Sequence, residues 1–203
     1  GQIMAITNGV GATWQISHDE AGQISQILTP LGYRTEVTHD QAGRLVERID
    51  PDGACWRYSY DEAGHLETAT APDGGRTRYT WGPDGQITTI TDPTGATTTL
   101  SYDEVGDLAG IGLPDGASWG FLRDAMARLC AVKDPDGAHW HASYNIIGEL
   151  TSLTDPTGVS LHATTTAHQA QVTNAAGRVI AANQFDDYGR IVSRTDVFGA
   201  TSS

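Results

Sequence analysis

The stretch YDEAGHLETATAPDGG, from Tyr60 to Gly75, contains the pattern on which the whole chain is built. A Tyr-Asp pair leads to Gly64, and a short half-apolar run then leads to Pro-Asp-Gly. Closely similar stretches begin at His39 (HDQAGRLVERIDPDGA) and at Tyr102 (YDEVGDLAGIGLPDGA). The repeat has to be examined first, because an overlooked repeat leads to a wrong fold prediction.

The pattern recurs every twenty-one positions and carries two turn signals. One series of glycines consists of Gly22, Gly43, Gly64, Gly85, Gly106 and Gly148, with Ala127 in the one position that lacks glycine. A second series consists of Gly32, Gly53, Gly74, Gly95, Gly116, Gly137 and Gly158, and each follows a proline by two residues, namely Pro30, Pro51, Pro72, Pro93, Pro114, Pro135 and Pro156. Two turns per repeat predict two short segments per repeat.

Both segments have the pattern of β-strands. The first alternates apolar and polar residues, as in Trp56, Tyr58 and Tyr60, which is typical of a half-buried strand. The second has apolar positions three residues apart, as in Leu66 and Ala69. A gap of three breaks strict alternation, so either a bulge lies between the two positions or both faces are partly covered.

The turn residues agree with strands. In Asp-Pro-x-Gly the proline presets the first central angle of a turn, and the glycine tolerates positive φ. In Tyr-Asp-x-x-Gly the aspartate can accept hydrogen bonds from backbone amides two residues on. The sequence therefore predicts an all-β chain with two strands per 21-residue repeat and a ribbon-like sheet that grows by roughly 10 Å per repeat.

Composition limits the classes of partner. A hydrophobic content of 38% predicts a buried core, while a net charge of −13 and a single lysine, Lys133, disfavour binding to nucleic acid and to anionic membranes. No apolar run is long enough for a membrane span, so no membrane insertion is expected, and no signal peptide is visible. The start at Gly1, within the pattern, suggests a fragment of a larger protein.

The regularity changes after Gly158. We predict a regular array over 1–160, a degenerate repeat over 161–184 without an Asp-Pro turn, and a resumed repeat over 185–203. Gly189 follows Gly148 by one position fewer than two full periods, which indicates one deletion in the degenerate repeat.

The phrase Tyr-Asp-x-x-Gly-Arg-Leu…Asp-Pro-x-Gly resembles the YD repeat of Rhs proteins, Tc-toxin cocoon subunits and teneurins. The copies that carry the resemblance over nearly all of the chain are HDEAGQI, HDQAGRL, YDEAGHL, YDEVGDL, YNIIGEL and FDDYGRI. The resemblance implies a β-hairpin spiral sheet that forms part of a hollow shell around a C-terminal toxin domain. The structural repeat residues are exemplified by Tyr60, Asp61, Gly64, Pro72, Gly74, Tyr102, Asp103, Gly106, Pro114 and Gly116.

Few residues suggest chemistry. His139 and His141 share one strand face and form a weak candidate metal pair, and His162, in the same repeat position as His141, would lie about 10 Å away in a regular stack. The paired aspartates of the DPDG turns lack the further oxygen ligands that calcium needs, so we expect turn capping there. We expect neither a metal nor a cofactor to be needed.

Cysteines and tryptophans also favour structural roles. Cys55 and Cys130 lie more than three repeats apart, beyond the reach of a disulfide, and are predicted to be free. The tryptophans of the apolar face could stack on sugars, but core packing is the favoured interpretation; they are Trp14, Trp56, Trp119 and Trp140.

These observations favour a non-enzymatic wall segment of a shell, secreted as part of a larger effector. The expected partners are the rest of the shell and an enclosed toxin domain. The alternative is an extracellular recognition module for glycans or cell-surface proteins. The terminal stretches GQIMAITNGV and TDVFGATSS carry few charges, so edge-to-edge self-association of the chain is also predicted.

Overall fold

The computed structural model of the chain describes residues 2–196 and 200–202. The chain divides into two compact units, Gly1–Thr99 and Leu100–Ser203. All regular structure within the described residues is β-strand, so the all-β prediction is confirmed. Part of the predicted terminal edge TDVFGATSS, residues 197–199 and 203, lies outside the described residues.

The first unit is an antiparallel meander in which each strand pairs with its neighbours in sequence. Its strands are β1 (Ala5–Thr7), β2 (Thr13–His18), β3 (Ile24–Leu28), β4 (Arg34–His39), β5 (Leu45–Ile49), β6 (Cys55–Tyr60), β7 (Leu66–Thr70), β8 (Arg76–Trp81), β9 (Ile87–Thr91) and the start of β10 (Thr97–Tyr102).

The second unit repeats the same arrangement. It contains the end of β10 and then β11 (Leu108–Gly112), β12 (Ser118–Arg123), β13 (Leu129–Lys133), β14 (His139–Tyr144), β15 (Leu150–Thr154), β16 (Ser160–Thr165), β17 (Gln169–Asn174), β18 (Val179–Phe185), β19 (Ile191–Thr195) and β20 (Thr201–Ser202).

A β-bulge recurs after seven of the Tyr-Asp turns and explains the gap of three. Tyr60 lies opposite Leu66 and Ser59 lies opposite Thr68, so Glu67 is the extra residue. The same register shift follows the corresponding turns before β3, β5, β9, β13, β15 and β19. The extra residue returns the apolar positions of the second strand to the face that carries the aromatic side chains.

The bulges and turns also stagger successive repeats. Arg57 lies opposite Thr70, and Thr70 lies opposite Arg76, although the residue equivalent to Arg57 in the next repeat is Arg78. Each repeat is therefore displaced by two residues, roughly 7 Å along the strand for every 10 Å across it.

Contrary to the prediction from composition, the described residues form no extensive buried core. Among them only Ala131, at 7% exposure, counts as a buried hydrophobic residue. The reason is that the described strands of each unit contact only their neighbours in sequence, so no second layer formed by residues 2–196 or 200–202 covers either face within a unit. Trp119 and Trp140 keep 37% and 40% of their surface exposed, so the interpretation that these two pack in a core is wrong, whereas Trp14 and Trp56 are half-buried.

The segment over 161–184 keeps the meander but changes its connections. Only three residues join β16 to β17, where five join β14 to β15, which removes two positions. One position is gained later, between the glycine of one turn and the first residue of the next. This spacing is nine positions from Gly177 to Asp186, compared with eight from Gly137 to Asn145, and β18 has a bulge against β17 that holds the extra residue. Two positions lost and one gained account for the net loss of one; the domain boundaries at 160 and 184 stay a prediction.

Glycine is needed at the turn ends because φ is positive there, as the sequence predicts. Gly148 has a φ of 91°, and Ala127, which replaces glycine in the same series, has a φ of 61°. Placing an L side chain in this left-handed region costs roughly 1 kcal/mol.

We therefore expect Ala127→Gly to raise the free energy of unfolding by up to about 1 kcal/mol, because it removes this strain. The matched change Gly148→Ala should lower stability by a similar amount, since a Cβ there meets no other atom within 4 Å and only the backbone term changes. Chemical denaturation of both variants measures this; shifts of the same sign would contradict it.

Candidate functional site

The described residues contain no group of three or more His, Cys, Asp or Glu side chains placed to hold a metal. His139 and His141 do share a face, with parallel rings whose centroids are 6.2 Å apart. Because of the stagger, His162 lies opposite Ser152 whereas His141 lies opposite Thr154. His141 and His162 are thus about 12 Å apart rather than 10 Å, and the histidine pair stays a prediction without a third ligand.

The predicted free state of both cysteines is confirmed. Burial raises the pKa of the Cys55 thiol, with a smaller contribution from its hydrogen bond to Glu47. A raised pKa leaves less thiolate at neutral pH, which does not favour a nucleophilic role.

The most organised site in the chain is the turn that follows each first strand. The carbonyl of Asp61 accepts the N–H of Gly64 at 3.0 Å, and the N–H of Asp61 donates to the carbonyl of His65 at 2.9 Å. The carboxylate oxygen Oδ1 of Asp61 accepts the N–H of His65 at 2.8 Å. The aspartate therefore holds both ends of the turn, and Gly64 supplies the positive φ between them.

The Pro-x-Gly turns use the same backbone bonds. In the turns at Asp92 and Asp155 the carboxylate accepts a backbone N–H and also the hydroxyl of Thr94 or Thr157. The turns of Pro72 and Pro114 begin with Ala71 and Leu113, which have no carboxylate. There the aspartate after the proline accepts an N–H instead, from Gly75 and Ala117 respectively.

The residue after the turn glycine links one repeat to the next. Arg44 donates from Nε to the Asp40 carboxylate at 2.7 Å, and its guanidinium lies 4.7 Å from the centroid of the Tyr60 ring. The Tyr60 hydroxyl donates to the carbonyl of Leu45 at 2.8 Å. We call this arrangement of turn acid, stacked cation, aromatic ring and strand carbonyl the inter-repeat clasp.

The clasp recurs with a constant sequence spacing, since the stacked side chain always precedes the ring by sixteen positions. Arg128, held by Asp124, lies 4.8 Å from the Tyr144 ring, whose hydroxyl donates to the carbonyl of Leu129. In a third clasp His65 stacks on Trp81 with ring centroids 4.9 Å apart, and the Trp81 indole donates to the carbonyl of Leu66.

One clasp has its charges exchanged. Arg123 stands in the aromatic position, and Asp107 stands after the turn glycine, at the same spacing as in the other clasps. The Asp107 carboxylate lies 3.2 Å from Arg123 Nε, which makes an ion pair although the N–H does not point directly at the oxygen. Both members of the pair differ together, so the two positions act as a unit.

Sequence reasoning found Tyr60, Asp61 and Gly64 as repeat residues and Tyr102, Asp103 and Gly106 in the equivalent positions, but it missed the clasp. The role of the residue after the glycine depends on a neighbouring repeat. The signal that could have revealed it is the covariation at this fixed spacing within the chain: Arg with Tyr, His with Trp, and Asp with Arg.

The clasp and turn bonds shift the protonation equilibria of their members. The N–H of Arg44 and its guanidinium hold the pKa of Asp40 below its ordinary value, and the N–H of His65 does the same for the pKa of Asp61. The Arg128 side chain lowers the pKa of Asp124. Burial raises the pKa of Tyr60, so its hydroxyl stays a hydrogen-bond donor.

These features define a structural repeat protein whose similar hairpins are joined through turn and clasp contacts. The sequence model of the family described as Teneurin YD-shell matches residues 4–125. The chain therefore belongs to this family of shell proteins, as the repeat motif predicted.

Solved structures show the same fold. The crystal structure of TcdB2-TccC3-Cdc42 aligns with a TM-score of 0.73 and 16% identity over 95% of this chain and 13% of the other. The Photorhabdus luminescens Tc holotoxin pore with the TccC3-D651A mutation aligns with a TM-score of 0.61 and 14% identity, over 97% and 13%. This chain thus spans about an eighth of those chains; no curated protein sequence matches it.

We expect a double-mutant cycle at the exchanged clasp to show coupling. Asp107→Arg alone should destabilise the chain, because it places two guanidinium groups together, and Arg123→Tyr alone leaves Asp107 against a ring face. The double variant recreates the Arg128–Tyr144 arrangement, with Asp103 available to hold the new arginine. A coupling of roughly 0.5–1 kcal/mol in chemical denaturation is expected; strictly additive effects would show that these positions do not interact.

Acid should destabilise the chain through its turn carboxyls. The Thr94 and Thr157 hydroxyls lower the pKa values of Asp92 and Asp155 from the ordinary 3.8. A depressed folded-state pKa stabilises the fold above the unfolded value, and this stability is lost as the pH falls through the folded value. The melting temperature should therefore decrease when the pH is lowered below about 4.

The matched variant is Asp92→Asn/Asp155→Asn. Asn145 already forms the same turn, accepting the N–H groups of Ile147 and Glu149, so the variant should fold. Circular dichroism melting from pH 7 downwards should show a smaller acid-induced loss in the variant than in the wild type. An identical loss would show that these two carboxyls do not contribute.

Proposed function

We propose that this chain is a non-enzymatic wall segment of a YD-repeat shell that encloses a toxin domain and is delivered to competing cells with it. The observation that supports this proposal is the absence of an extensive buried core among the described residues, combined with clasps between successive repeats. A hairpin of this kind is completed by the next hairpin, which is what an extended wall requires.

A wall role also fits the surface chemistry. The formal charge of −13 keeps the wall soluble and makes binding to nucleic acid unfavourable. No helix within the described residues is long and apolar enough to cross a membrane. The partners in this proposal are the remaining repeats of the shell and the enclosed domain, and the location is outside the producing cell.

A recognition module is the second candidate, and the exposure of two tryptophans favours it. Trp119 and Trp140 present about two fifths of their surface on the apolar face, and Trp140 lines a shallow cleft with Tyr144 and Leu153. Half-exposed indoles can stack on sugar rings. Saturable quenching of tryptophan fluorescence by a glycan, lost in Trp140→Ala but kept in Trp14→Ala, would favour this function over the wall.

Enclosure is tested in the full-length protein that contains this chain. A domain held inside the shell should resist proteinase K under native conditions and become sensitive when the shell is opened. Arg44→Ala/Arg128→Ala, which removes two clasps, should increase its cleavage, whereas Arg34→Ala, outside the clasps, should not. Immediate cleavage of the domain in the intact wild type would contradict the proposal.

Self-association through strand edges is tested with the 203-residue chain alone. Ile3, Met4 and Ile6 are 52–61% exposed in and next to β1, which carries no charged side chain. Unguarded edge strands pair with other chains. Sedimentation at micromolar concentration should show oligomers, and Ile6→Lys should reduce them; a monomeric wild type would contradict the prediction.

A further inference from the structure

The tips of the Tyr-Asp turns change character between the two units. In the first unit the two residues between the turn acid, or its replacement, and the glycine are Glu-Ala, Gln-Ala, Glu-Ala and Pro-Asp, as expected for exposed turns. In three successive turns of the second unit they are Glu104-Val105, Ala125-Met126 and Ile146-Ile147. We call Val105, Met126, Ile146 and Ile147 the apolar tip row.

The side chains of the apolar tip row are highly exposed, which is unusual for apolar residues. Val105 is 81% exposed, Met126 62%, Ile146 91% and Ile147 75%. Turn formation does not require them, since Glu-Ala serves in the equivalent turn of Asp61. Exposed apolar side chains that are grouped on one part of the surface mark interaction sites in soluble proteins.

The row lies along a single edge of the second unit. The three turns join β10 to β11, β12 to β13 and β14 to β15, and alternate connections of a meander fall on the same side. Successive turns are two strands apart and are staggered by two residues, so they lie about 12 Å from one another and the row extends over about 24 Å.

The backbone of the row is fixed by hydrogen bonds within the turns. The N–H groups of Val105, Met126 and Ile147 each donate to the side-chain oxygen of the first turn residue, at 3.1, 2.9 and 3.1 Å. The three side chains therefore occupy the same position of the same turn. Binding such a preformed row loses little backbone entropy.

The charges around the row indicate the chemistry of the partner. The Arg123 and Arg128 guanidinium groups are paired with Asp107 and Asp124. Two glutamates near the row form no ion pair with any described residue: Glu104, which is exposed beside Val105, and Glu149, which accepts a hydrogen bond from the neutral amide of Asn145. The carboxylate of Asp103 accepts backbone N–H groups. Uncompensated negative charge next to exposed apolar side chains complements a polypeptide segment that carries both basic and apolar side chains.

From this arrangement we infer that the apolar tip row is a docking site for a polypeptide segment that carries alternating apolar and basic side chains. The apolar side chains of the segment cover the row, and its basic side chains approach Asp103, Glu104 and Glu149. A second copy of this chain fits less well, because its formal charge of −13 repels the same edge.

The test uses a labelled peptide of alternating leucine and lysine, with fluorescence anisotropy as the readout. Ile146→Glu/Ile147→Ala converts this tip to the Glu62-Ala63 tip of the first unit and so keeps a turn that the chain already folds. We expect saturable binding to the wild type and at least about tenfold weaker binding to this variant, because two isoleucines are no longer covered.

Matched controls separate the alternatives. The converse change, Glu62→Ile/Ala63→Ile, adds an apolar tip elsewhere and should leave the affinity of the original row unchanged. If a serine-lysine peptide binds equally well, the site recognises charge alone. If a leucine-glutamate peptide binds equally well, charge has no role in binding. Either result overturns the inference.

Two further results would also overturn it. One is unchanged peptide affinity in Ile146→Glu/Ile147→Ala with a wild-type circular dichroism spectrum. The other is a dimer in sedimentation that this variant abolishes but Ile6→Lys does not, since a second copy would then occupy the row.

Discussion

Most turns of the fold share one small interaction on which the hairpins depend, the hydrogen bond from a backbone N–H to the side-chain oxygen of the first turn residue. In the turn of Asp61 this bond fixes the chain reversal at a glycine with positive φ. It also determines the position of the residue after the glycine, since the same carboxylate approaches the His65 ring at 3.2 Å. His65 is thereby placed on Trp81 of the next repeat. A local backbone requirement thus becomes a contact between repeats.

This dependence explains how single-layered units can be stable with so little buried surface. Without a second layer, stabilisation has to come from backbone hydrogen bonds, cross-strand pairs and clasps between neighbouring hairpins. Interactions of this kind add along the chain, as in other repeat proteins, and each hairpin depends mainly on the two beside it. The repeat period is strict because one inserted residue in a strand would move its following aromatic side chains to the opposite face. In the degenerate segment the connection before β17 is shorter, and a bulge in β18 adds one residue back. The segment thereby restores the pattern.

The sequence predicted the features that are local and failed at those that depend on neighbours. The strands, both glycine series and the free cysteines followed from spacing and turn chemistry. The choice between a bulge and two covered faces needed the register of Tyr60 and Leu66. Arg48 stands in the apolar position equivalent to Ala69, for a reason visible only in three dimensions: its guanidinium lies 5.7 Å from the Trp56 ring and pairs with Asp50. The expected core did not form because apolar content does not reveal whether a second layer exists.

The same turn that constrains the fold leaves room for variation. In the Tyr-Asp turns, backbone bonds occupy the first residue, the glycine and the residue after it, whereas tip residues such as Glu62 and Ile146 have exposed side chains that form no bond within the turn. Tip side chains can therefore change without affecting the hairpin, and Glu62-Ala63 and Ile146-Ile147 sit in turns with the same backbone hydrogen bonds. At positions where the fold does not require a particular side chain, one copy of the repeat can acquire a contact that the other copies lack. The residues that form the hairpin and those proposed to form a docking contact thus occupy different positions of the same turn, so one set can change without disturbing the other.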